Sequence, residues 1–159
     1  MLRIPIKTYR DLVVWDKAMN LGVAVHQFRE ERRAPRFFVL MDQLQRAAGS
    51  IPSNIAEGCG RRSRGDYLRF VAIANGSLCE LETHLLLTRR IEPRWKDPID
   101  GMLATSAEVG RMLTGLHRAL KKAPAKPQSL LPVACCQLPN EAHRAQPAPC
   151  PAALTPALR

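Results

Sequence analysis

The placement of proline constrains this chain more than any other feature. Thirteen prolines occur in 159 residues, but eight of them lie between Pro124 and Pro156, and the first 123 residues hold only Pro5, Pro35, Pro52, Pro93 and Pro98. Proline lacks a backbone N–H and its ring clashes with the preceding turn, so it ends or bends helices. Pro35 and the Pro93–Pro98 pair leave stretches between them that are long enough for full-length helices. From Pro124 onward proline and alanine dominate and no helical or strand period survives more than a few residues, which predicts disorder. The expected organisation is therefore a folded unit over 1–123 and a disordered Pro/Ala-rich tail over 124–159.

Apolar spacing supplies the helices. Over residues 10–32, Val14, Ala18, Leu21, Val25 and Phe28 form one stripe, and Leu12, Trp15, Met19 and Gly22 form a second beside it, so the first helix buries a wide face. The run Glu30-Glu31-Arg32-Arg33-Ala34-Pro35 ends it. A second helix is predicted from Phe38 to Glu57, bent at Pro52 and stopped by Gly58, with Leu40, Leu44, Ala47, Ile51 and Ile55 on one face. Ser63-Arg64-Gly65-Asp66 has the form of a capping box and starts a third helix at Arg64 that runs to about Arg90. Tyr67, Val71, Ala74, Leu78, Leu81 and Leu85 make its main stripe, while Leu68, Phe70, Ile73, Leu86 and Leu87 carry apolar surface round most of its circumference. Such a helix needs cover on more than one side. Pro93 and Pro98 bracket the next connection, and a fourth helix follows from about Ile99 to Lys122 on the narrower stripe Ile99, Leu103, Val109, Leu113, Leu116 and Leu120. No segment alternates like a strand and no repeat is visible. Four helices joined by short connections predict an all-α, antiparallel up-down-up-down four-helix bundle.

Few chemistries fit the remaining residues. Five cysteines at irregular spacing (Cys59, Cys79, Cys135, Cys136, Cys150) offer no disulfide framework, which points to a reducing, cytoplasmic setting. No apolar run approaches the roughly 20 residues that a membrane-spanning helix needs, and the N-terminus lacks a signal core. His26, His84, His117 and His143 each stand alone, with no His-x-x-x-His or Cys-x-x-Cys spacing, and the vicinal pair Cys135-Cys136 falls in the tail. A carboxylate-bridged di-metal centre needs Glu-x-x-His motifs on two helices, and these are absent. Glu57 is expected to pair with the third helix, at Arg69 or Asn75. Gly58-Cys59-Gly60-Arg61-Arg62 has the glycines of a tight turn but neither the Lys-Ser/Thr nor the preceding strand of a phosphate loop. No cofactor, metal or catalytic set is expected, and the chain reads as a non-enzyme.

Several strings resemble one bacterial family. Tyr9-Arg10-Asp11-Leu12 with Val14-Trp15-Asp16-Lys17-Ala18-Met19, then Ser50-Ile51-Pro52-Ser53-Asn54-Ile55-Ala56-Glu57-Gly58, Tyr67-Leu68-Arg69-Phe70 and Gly76-Ser77-Leu78-Cys79-Glu80-Leu81-Glu82-Thr83 are similar to the four-helix-bundle proteins encoded within 23S rRNA intervening sequences. Gly110-Arg111-Met112-Leu113 and Gly115-Leu116 look like the family's fourth-helix signature, and the likeness spans about residues 7–121. The resemblance implies a bundle assembled as a ring-like homopentamer with no established enzymatic activity. A related group, the accessory proteins of diversity-generating retroelements, consists of basic oligomers that contact nucleic acid and a reverse transcriptase. Two features depart from the family pattern. The connection Arg89-Arg90-Ile91-Glu92-Pro93 looks short, and the tail, with neither a charge block nor a repeated motif, reads as unselected sequence in preference to a partner linker.

Charge then acquires a place. The chain carries a formal +10, of which residues 1–122, with 21 basic and 13 acidic side chains, hold +8. In an up-down-up-down bundle the connection between the second and third helices shares an end with both termini. That end carries Arg3, Lys7, Arg10, Arg61, Arg62, Arg64, Arg69, Arg118, Lys121 and Lys122 against Asp11, Glu57 and Asp66, a net +7. The opposite end has Arg29, Arg32, Arg33, Arg36, Arg89, Arg90, Arg94 and Lys96 against Glu30, Glu31, Glu92, Asp97 and Asp100, only +3, and the shafts hold −2. Arg61, Arg62, Arg64, Arg69, Arg118, Lys121 and Lys122 are thus the expected contacts to nucleic acid backbone, RNA in the first instance, with the N-terminus of the third helix as a phosphate seat. Trp15, Phe28 and Tyr67 are assigned to the core, which leaves few aromatics to stack on bases. Phe70, Ile73, Leu86 and Leu87 are the expected self-association surface, or else the face presented to a protein partner such as a polymerase-like subunit. A membrane partner is not expected.

Overall fold

The computed structural model describes residues 7–32 and 35–122. Four helices follow one another: α1 (Val13–Glu31), α2 (Phe38–Gly60), α3 (Arg64–Ile91) and α4 (Lys96–Lys122). Single 3-10 turns, Tyr9–Asp11, Pro35–Phe37 and Pro93–Trp95, lead into α1, α2 and α4. Each helix packs on its neighbour in sequence and α4 closes against α1, the antiparallel four-helix bundle that the apolar spacing predicts. No strand occurs among the described residues. The tail over 124–159, with Cys135, Cys136, Cys150 and His143, lies outside them, as do Arg3 and Arg33.

One core runs the length of the bundle. The first stripe of α1, Val14, Ala18, Leu21, Val25 and Phe28, is buried in full. Of the second, Leu12 is buried, Trp15 and Gly22 are half-buried and Met19 is exposed. Leu44, Ile51 and Ile55 of α2, Leu81 and Leu85 of α3, and Ile99 and Leu113 of α4 are nearly inaccessible, each contributing about 1.5–3 kcal/mol of burial before chain entropy is counted. Trp95 closes one end edge-on to Phe28 and Phe37, with ring centroids 5.7 and 5.0 Å apart. Leu116 and Leu120 of α4 are only partly buried against the core. The buried hydroxyls have partners. Thr88 donates to the His84 carbonyl at 2.7 Å, Ser77 shares a 2.8 Å hydrogen bond with Ser50 across the α2–α3 seam, and Ser106 donates to Glu82.

Three element boundaries differ from the sequence expectation. α1 begins at Val13 instead of residue 10, because Thr8 caps a separate 3-10 turn and Leu12 adopts an extended backbone at φ −85°, ψ 114°. α2 runs through Pro52, as expected, but past Gly58 to Gly60. Next to the N–H missing at Pro52, Asn54 Nδ2 donates to the Ser50 carbonyl and Ser53 Oγ to the Gly49 carbonyl, both at 2.8 Å. Gly58 is not a terminator but a contact: a Cβ there would lie 2.8 Å from Phe70 Cβ and from Tyr67 Cδ2. α4 starts at Lys96 instead of Ile99, with Pro98 inside its first turn, where a missing N–H costs nothing because no intrahelical acceptor awaits it.

Candidate nucleic-acid interface

The basic end is assembled by the α2–α3 connection and the last turn of α4. After Gly60 the chain extends at Arg61 (φ −75°, ψ 143°), and Ser63 caps α3. Its Oγ accepts the Asp66 amide at 3.0 Å and donates to Asp66 Oδ2 at 2.7 Å. Arg64 Nη2 then reaches the Lys121 carbonyl of α4 at 2.7 Å. That hydrogen bond ties the start of α3 to the end of α4, so Arg118, Lys121 and Lys122 share the end with Arg61, Arg62 and Arg64. The Tyr9–Asp11 turn packs on α1 and α2 and adds Lys7 and Arg10. One further turn along α3, the side chains of Phe70 and Arg69 reach the same region: the guanidiniums of Arg61 and Arg69 both lie over the Phe70 ring, 5.0 and 5.3 Å from its centroid.

Pairing distinguishes the two ends. At the far end Arg32 pairs with Glu31 at 2.6 Å and Arg36 with Glu92 at 3.0 Å, and Arg94 and Arg89 hold Glu92 and Asp100, while Arg29, Arg90 and Lys96 make no ion pair with a described residue. At the basic end Arg61 pairs with Glu57, whereas Arg62, Arg69, Arg118, Lys121 and Lys122 make no ion pair with any described residue. The acids there are engaged locally. Asp11 Oδ2 accepts the backbone amides of Thr8 and Lys7, each at 2.8 Å, which holds its carboxyl below the usual aspartate value. Asp66 sits in the first turn of α3 beside Ser63. The expected phosphate seat at this helix N-terminus is therefore met in part by the protein's own carboxylate and cap, and the open positive charge belongs to the side chains. Glu57 bonds to Arg61, just past the end of its own helix, not across to Arg69 or Asn75.

The remaining candidates are spread more widely. Of the expected association residues, Ile73, Leu86 and Leu87 stand 43%, 40% and 45% exposed on α3, but Phe70 is buried within the protomer beneath the two arginines. Packing removes Phe70 from the outer surface because its Cβ rests against Gly58. Ile91, Val39 and Phe38 are exposed apolar residues that the helical pattern did not single out. The Thr8-x-x-Asp11 cap was also not anticipated, although a hydroxyl followed three residues later by a carboxylate is its ordinary signature. Tyr67 is half-buried, and burial followed by the neighbouring Cys59 pushes its phenol far above the usual tyrosine range. His26 faces Gln45 at 3.4 Å, and His84 lies 3.8 Å from Glu80. Among the described residues no group of three or more His, Cys, Asp or Glu side chains could hold a metal ion, and no helix is long and apolar enough to cross a membrane.

A small basic four-helix bundle with a largely unpaired cluster of cations at one end is the class that fold and charge define. Residues 10–115 match the family model described as 23S rRNA-intervening sequence protein. The chain belongs to that family. It is also similar to a crystal structure of a protein with unknown function from the S23 ribosomal protein family from Bacteroides thetaiotaomicron. That structure superposes with a TM-score of 0.61 at 26% sequence identity, over 67% of this chain and 99% of the other. No match is found among curated proteins.

Proposed function

We propose that the protein is a non-enzymatic, self-associating bundle that binds the backbone of nucleic acid, RNA in the first instance, without strong sequence preference. The observation that carries this reading is the contrast in pairing. Arg62, Arg69, Arg118, Lys121 and Lys122 converge on one end with no carboxylate partner among the described residues, while Arg32, Arg36, Arg89 and Arg94 of the other end are all ion-paired. Phosphate contacts supply affinity without sequence information, and Trp15, Phe28 and Tyr67 are taken up in or against the core. The exposed apolar face of α3 supports self-association, for which the family resemblance implies a homopentamer. Repetition of one basic end around a ring would make a broad positive face.

The test is a titration of labelled single-stranded RNA at several salt concentrations. Affinity is expected to fall steeply with salt, with a slope of about 0.7 per phosphate neutralised. Replacing Arg61, Arg62 and Arg64 together by alanine is expected to weaken binding and to flatten that slope by about two. Binding that ignores salt, or that survives the triple change, overturns the proposal.

The same α3 face supports a second reading, an adaptor for another protein such as a reverse-transcriptase-like subunit. Light scattering separates the two: a monomer in solution leaves Ile73, Leu86 and Leu87 for an outside partner, whereas a ring accounts for them.

A further inference from the structure

Among the cations of the basic end, Arg61 is held twice. Glu57, one turn earlier on α2, is its ion-pair partner, and the same guanidinium lies over Phe70. The ring cannot drift, because it is buried and the Phe70 Cβ rests on the bare backbone of Gly58. Arg69 covers the same ring from α3 and makes no ion pair with a described residue. One aromatic ring thus carries two guanidiniums. Its negative potential offsets part of their mutual repulsion and fixes their positions before any ligand arrives. A guanidinium presents a planar fork of donors that fits carboxylate and phosphate oxygens alike, so the Glu57 carboxylate occupies what an incoming anionic oxygen would need.

We infer that Arg61 and Arg69, mounted on Phe70, form a seat for one phosphodiester group of a nucleic acid backbone, and that Glu57 is its resident competitor and sets the affinity. The identity of the ligand rests on the nucleic-acid reading above. Displacement is feasible because both partners are half-exposed and the pair sits at the end of α2, with Arg61 on the extended residue just past the last turn. A pair of that kind shifts an equilibrium by only about twofold. Glu57→Gln keeps the length and helix preference of the side chain while removing the competing charge, so binding is expected to tighten by about twofold at low salt.

The full-length protein and its E57Q, R61A and E57Q/R61A variants, titrated at low salt with a short mixed-sequence single-stranded RNA and separately with inorganic polyphosphate, provide the test. The expected result is tighter binding of both probes by E57Q, weaker binding by R61A, and no gain from E57Q once Arg61 is absent. An E57Q gain that persists undiminished in the R61A background assigns the effect to long-range charge and overturns the seat. So does the lack of any E57Q gain with either probe. The full cycle with polyphosphate but no binding of RNA keeps the seat and its competitor and overturns the nucleic-acid reading instead.

Discussion

Gly58 and Gly49 lie on the same helix, nine positions apart, and face opposite demands. At Gly49 nothing lies within 4 Å of where a Cβ would sit, whereas at Gly58 that atom would be 2.8 Å from Phe70 Cβ and Tyr67 Cδ2. Phe70 Cβ is anchored to the α3 backbone and cannot swing aside, so α2 and α3 would have to separate. Gly58→Ala is expected to destabilise the protein by about 1–3 kcal/mol through overpacking, and Gly49→Ala to stabilise it by about 0.5–1 kcal/mol through helix preference. Urea denaturation of the two variants checks the signs, and equal stabilities would contradict the close α2–α3 approach. The same contact explains why Gly58 is misread from sequence. A glycine at the end of an apolar pattern serves equally as a helix stop or as room for a crossing helix, and only the partner helix distinguishes them.

At the scale of elements, the bundle was legible wherever local chemistry and packing agree. The stripe from Val14 to Phe28 is buried as its spacing demands, and Ser63 caps α3 where Ser-x-x-Asp predicts. The helix starts were less legible where proline or a separate cap intervenes. Pro98 looks like a break until it is seen in a first turn, and Thr8 and Asp11 close a 3-10 turn before α1 begins. That cap has a pH signature. Backbone N–H donors at Thr8 and Lys7 lower the Asp11 pKa from its ordinary 3.8, so the folded state favours the charged carboxylate. The stabilisation is fully present above pH 3.8 and is lost as pH falls through the lower folded-state value. Asp11→Asn is therefore expected to be less stable than the native protein at neutral pH, with the gap closing as the solution is acidified below 3.8. A series of urea titrations across that window measures the gap, and a gap independent of pH would show that the charge of Asp11 plays no part.

Across the whole molecule, helix direction decides which cations meet, and direction follows from four helices joined by short connections. The gathering of Arg61, Arg62, Arg64, Arg118, Lys121 and Lys122 at one end was therefore open to sequence reasoning, and the Arg64–Lys121 hydrogen bond draws the start of α3 and the end of α4 together. Which cations remain unpaired was not, because ion pairing depends on side-chain reach. Glu57 takes the arginine just past the end of its own helix, and Glu92 collects both Arg36 and Arg94. The proposed assembly links this charge to the α3 face, since several basic ends on one particle bind a single strand with a high effective concentration. Replacing Ile73 and Leu87 by glutamate puts charge into that face, and both side chains are exposed, so the protomer is expected to stay folded. Light scattering should then give the mass of a single chain, and RNA affinity should fall by about tenfold or more. An unchanged mass would remove the α3 face as the assembly surface, and a single-chain mass with undiminished affinity would mean that each basic end binds on its own.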